Sequence, residues 1–111
     1  MISAKPRQEN PVTIQHMHEA AGGASGRRIL DLYDRGIDGC LKRDAAEVRE
    51  VLLELMAALN FDYEEAATGF FRIYELSLRH VKGRRFGVPL HILRRLRAVW
   101  TEPYRAATRQ S

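Results

Sequence analysis

Catalysis or metal binding needs nucleophile, base or ligand groups that converge. The raw material here is four histidines, one cysteine and fourteen carboxylates. His16 and His18 form an H-x-H pair that would ligate a metal if a third ligand came near. No cysteine or second histidine pair stands at ligand spacing, so the pair is expected to be solvated, and no metal or other cofactor is expected. His80 and His91 each fall near the end of a helical segment, where a role at a terminus or turn is expected. Spacings such as Glu47/Glu50 and Glu64/Glu65 are those of first-turn charge and solvated helix faces. Cys40, beside Leu41, has the setting of a small buried hydrophobe rather than a nucleophile. A single cysteine also excludes an internal disulfide and suits a reducing compartment. No catalytic constellation assembles, so the chain is expected not to be an enzyme.

The other charged group of note is arginine. Arg84, Arg85, Arg94, Arg95 and Arg97 fall within a fourteen-residue stretch, and Arg27 and Arg28 open an earlier helical segment. The formal net charge is +4 and the isoelectric point near 9.6, which permits an acidic partner without requiring one. Nucleic-acid binding through Arg84, Arg85, Arg94, Arg95 and Arg97 is the alternative function to be weighed. Against it, no recognised nucleic-acid motif is present and stacking aromatics are not interleaved with the arginines. A solubilising outer face accounts for the same residues.

These side chains must be carried on helices. Val48, Val51, Leu52, Leu55 and Leu59 recur at the spacing of one helical face, as do Tyr63, Ala66, Ala67, Phe70, Tyr74, Leu78 and Val81. The break at Asn60-Phe61-Asp62 is short, so the two segments should fold back as a hairpin. Asp44 with Glu47, and Asp62 with Glu65, have the spacing of capping boxes. An earlier helix runs through Ile29, Leu30, Leu32, Tyr33, Ile37, Cys40 and Leu41, with Ser25 as its N-cap. Gly36 and Gly39 inside it permit close approach of a neighbouring helix or a peptide, or else mark a weak helix end. Gly83 suits a left-handed C-cap. Pro89 suits the first turn of a last helix that carries Ile92, Leu93, Leu96, Val99 and Trp100 inward, and Pro103 suits its stop.

With 45% hydrophobic and 29% charged residues in 111, one folded domain is expected. It should be all-α: an antiparallel up-down four-helix bundle over residues 25–103, with a mobile N-terminal arm at 1–24 and a frayed basic tail at 104–111. No apolar run approaches the length that spans a bilayer, so no membrane insertion is expected. The opening residues lack a signal peptide's apolar core, so a cytoplasmic location is expected.

The apolar residues exceed what one buried face requires. Leu53 and Met56 fall roughly 80–140° from the centre of their helix's stripe. Ile73 and Leu76 fall about 80° and 140° from theirs, and Phe71 about 80° to the other side. Either the core is wide, or Leu53, Met56, Phe71, Ile73 and Leu76 line a groove for an amphipathic partner.

Several of these pieces, in order, resemble the flagellin-specific export chaperones of bacterial flagella, the FliS family. They are Leu32-Tyr33-Asp34-Arg35-Gly36, then Leu52, Leu55 and Leu59-Asn60-Phe61, then Ala66-Ala67 through Phe70 to Ile73-Tyr74, and finally Leu96-Arg97-Ala98-Val99-Trp100. The similarity runs over residues 25–102. The chain departs from the family's pattern in its shorter connection between Asp34 and Asp44, and in its Arg- and Gly-rich stretch at 82–88. The resemblance implies a cytoplasmic chaperone that binds the disordered C-terminal segment of flagellin, or of a flagellin-like subunit, in apolar grooves. Binding would block premature polymerisation and deliver the client to the flagellar export gate. The client would fold as it binds. Val12, Ile14 and Met17 of the arm are then candidate covers for the empty groove. A homodimer is a further partner to test.

Overall fold

The computed structural model describes residues 16–23 and 26–110, with side chains described as far as Trp100. Four helices account for nearly all of it: α1 (Gly26–Leu41), α2 (Ala45–Ala57), α3 (Glu64–Lys82) and α4 (Gly87–Gln110). Among the described residues there is no strand. Each helix packs on its neighbours in sequence, and α1 also packs on α4. Residues 16–20 form a further helical turn.

The apolar stripes meet as their spacing predicts. Ile29, Leu32 and Tyr33 of α1, Val48, Val51, Leu52 and Leu55 of α2, Ala67, Phe70 and Tyr74 of α3, and Leu93 and Trp100 of α4 are all buried. At the centre, the Tyr33 and Tyr74 hydroxyls hydrogen-bond each other at 3.0 Å, both side chains fully buried. Burial pushes both phenols up from their ordinary range, so both stay protonated. Gly36 and Gly39 do not weaken α1, which continues to Leu41. They let helices approach: a Cβ at Gly36 would lie 2.7 Å from Leu93 Cδ1, and one at Gly39 would lie 2.9 Å from Val48 Cγ2.

The helix ends differ from the expected chemistry in four places. Asp44 caps α2 by accepting from the Glu47 amide at 3.1 Å, but Glu47 does not reach back. Its carboxylate accepts from Arg35 of α1 at 2.9 Å, a cross-helix partner that competes with the local one. Asp62 is not the cap of α3. Asn60 opens a 3₁₀ turn, Phe61–Tyr63, by accepting from the Asp62 amide at 2.9 Å, and Tyr63 then leads into α3 with no side-chain cap. Gly83 is not left-handed (φ −88°); Arg84, one residue on, is (φ 58°), with its amide donating to the Val81 carbonyl and that of Arg85 to the His80 carbonyl. Pro103 does not stop α4. A proline inside a helix removes one donor, here to the Val99 carbonyl. The Val99 backbone lies beside the His18 ring and favours its protonated form.

Residues 16–23 dock where α2 ends and α3 begins. Ala20 and Ala21 are fully buried, and the Ala20 carbonyl accepts from the Asn60 amide at 2.8 Å. His18 stacks on Trp100 with ring centroids 4.2 Å apart and planes 10° from parallel. Ser25, the expected N-cap of α1, lies outside the described residues.

Candidate partner-binding surfaces

Ion pairs fix which flank of each helix faces which neighbour. Arg28 and Arg35 of α1 pair with Glu54 and Glu47 of α2, at 2.8 and 2.9 Å. Arg97 of α4 pairs with Asp34, on the opposite flank of α1. On α2, Met56 lies roughly 180° around from Glu47 and Glu54, hence on the flank toward α3. Carried to α3, the same sense of rotation puts Phe71 on the flank toward α2 and Ile73 on the flank toward α4.

The five apolar residues singled out from the sequence therefore do not line one groove. Leu53 and Phe71 are exposed on the α2–α3 side, with Met56 half-buried between them and the core. Ile73 and Leu76 are exposed on the side of α3 that turns from α2 toward α4. Two buried polar atoms of α3, Ser77 Oγ and His80 Nδ1, have no hydrogen-bond partner among the described residues. Exposure of Leu53, Phe71, Ile73 and Leu76 is 44, 37, 37 and 36%, well above that of the core. Periodicity finds these residues because each stands off its stripe. It cannot tell that they fall on two sides of α3, because that depends on where α2 and α4 sit.

Met17, of the residues expected to cover a groove, is half-buried against the core; Val12 and Ile14 lie outside the described residues. Leu41, Phe61 and Val88 are exposed as well. They stand at helix ends and turns, where a periodic pattern carries no signal.

The arginines separate too. Arg97 is held by Asp34, whereas Arg94 and Arg95 are exposed on α4. Arg84 lies in the α3–α4 turn, with its guanidinium 5.7 Å from the centre of the Phe86 ring. No single basic face gathers all five. Cys40 is buried, and burial pushes its thiol up to about 11, so it stays protonated and unreactive at neutral pH.

No protein-family model, no curated protein and no solved structure matches the chain. Among the described residues, no group of three or more His, Cys, Asp or Glu could hold a metal ion. No helix there is long and apolar enough to cross a membrane.

Proposed function

We propose that the chain is a non-enzymatic export chaperone. It would capture an amphipathic segment of flagellin, or of a flagellin-like subunit, in the cytoplasm and hold it for secretion. Its scaffold is an antiparallel four-helix bundle. In support, the α1–α2 and α3–α4 turns meet at one end through Arg43 and Arg84, while Ala20, Asn60, Gly26 and Trp100 gather at the other. The observation that carries the function is the pair of exposed apolar strips beside α3, Leu53 with Phe71 and Ile73 with Leu76. Burying them would give an otherwise disordered segment a reason to fold, helix by helix, on the bundle.

The test is calorimetric titration with the C-terminal segment of a flagellin encoded in the same genome, repeated with Leu53→Glu and Leu76→Glu. Both positions are exposed, so the fold should tolerate either change. Glutamate at the half-buried Met56 would confound binding with stability. The expected outcome is binding with a negative heat-capacity change, little salt dependence and a loss of roughly tenfold or more in each variant. A loss in only one variant would confine the client to that side of α3. No binding by the unmodified chain would overturn the flagellin assignment. Binding to an oligonucleotide that falls steeply with salt would move the function to the arginines.

A further inference from the structure

Arg43 and Arg84 are the two described non-glycine residues with positive φ, at 57° and 58°. Both end a helix. The Arg43 amide donates to the Cys40 carbonyl and that of Asp44 to Gly39, while the Arg84 amide donates to Val81 and that of Arg85 to His80. Glycine is the residue such caps favour, yet arginine stands at both, although Gly83 is one position away from the second. The two side chains converge. Arg43 Nη2 reaches the Arg84 carbonyl at 3.4 Å, Arg84 Nη2 reaches the Arg43 carbonyl at 3.5 Å, and both guanidinium groups face the Phe86 ring, at 5.0 and 5.7 Å.

These reciprocal bonds are long, and they place each guanidinium at the other residue's carbonyl with donors to spare. Lys42, Lys82 and Arg85 surround them, all exposed. The nearby carboxylates are committed: Asp38 pairs with Lys42 at 3.0 Å, and Asp44 accepts from the Glu47 amide. The same end exposes two apolar side chains that the client strips do not use, Leu41 at 58% and Val88 at 38%. A carboxylate at either guanidinium would accept from the donors that these long bonds leave free. A phosphate backbone would make that contact but leave Leu41 and Val88 unused.

We propose that this end of the molecule docks a partner protein through an acidic peptide punctuated by apolar residues. Its carboxylates pair with Arg43 and Arg84, and its apolar side chains cover Leu41 and Val88. The site is separate from the strips beside α3, and it does not depend on what those strips bind.

Fluorescence anisotropy at low salt tests it with three probes of equal charge: a labelled peptide of glutamate pairs separated by single leucines, a glutamate-only peptide, and a single-stranded oligonucleotide. The mixed peptide should bind most tightly, and more weakly as salt is raised. The double variant Arg43→Gly/Arg84→Gly should weaken it roughly tenfold or more. Glycine adopts positive φ freely, so that variant keeps the fold, as its circular dichroism will report. Leu41→Ser should bring the mixed peptide to the level of the glutamate-only one, whereas Leu53→Glu and Leu76→Glu should change nothing. No binding of the mixed peptide, equal or tighter binding of either other probe, or an unchanged affinity in the double glycine variant would each overturn the proposal.

Discussion

His18 shows how one side chain joins two parts of the chain. Its ring stacks on Trp100 beside the Val99 backbone, while its buried Nε2 has no hydrogen-bond partner among the described residues. Desolvation holds its pKa below 6.5, more than the Val99 backbone and Glu19 can offset. An unfolded chain takes up that proton more readily, so the contribution is present above about pH 6.5 and is lost as the pH falls. On the alkaline side the sign reverses. Burial raises Cys40 from 9.0 to about 11 and raises Tyr33 and Tyr74 above 10.0, so the unfolded state releases those protons first. The urea midpoint should therefore be flat near pH 7–8, falling below about pH 6.5 and above about pH 9. His18→Phe keeps an aromatic face on Trp100 and should flatten the decline between pH 5 and 7; an unchanged slope would show that His18 is not its source. Little of this was legible in the sequence, from which His16 and His18 are both expected to be solvated. Burial of one and not the other depends on how the segment lies on Trp100. Tyr33, by contrast, finds a partner for its buried hydroxyl in Tyr74.

At the scale of elements, periodicity placed all four helices, because each needs one face to bury and the core residues recur at that spacing. Helix ends were harder to place. Asp44, Asn60 and Asp62 are all competent caps, and the sequence does not say which backbone amide each will meet. Glu47 was drawn away by Arg35 of a neighbouring helix. The two interior glycines were ambiguous until α2 and α4 were in place. Gly36→Ala gains up to about 1 kcal/mol of helix propensity. It also drives a methyl group toward Leu93 and Val51, and overpacking of this kind costs about 1–3 kcal/mol. The net effect on urea unfolding should be a loss of stability. A gain would mean that Leu93 and α4 yield without strain.

At the scale of the whole molecule, residues 16–23 belong to the core. Ala20 and Ala21 are as buried as any residue of the helices, and the Ala20 carbonyl supplies a partner for the Asn60 amide. Removing residues 1–21 should cost about 2 kcal/mol and lower the Tm by roughly 8–16 °C. An unchanged Tm would mean that the bundle closes without the segment. The sequence by itself determined the all-helical class, the four apolar stripes and the surplus of apolar residues off them. These follow from a 3.6-residue period that any helix with one buried face must show. Only the tertiary structure decided that the surplus falls on both sides of α3, that Arg97 is held by Asp34, and that Arg43 and Arg84 share one aromatic ring. Those are relations between residues distant in the chain. They arise from the order and sense in which the helices pack, which no local pattern encodes.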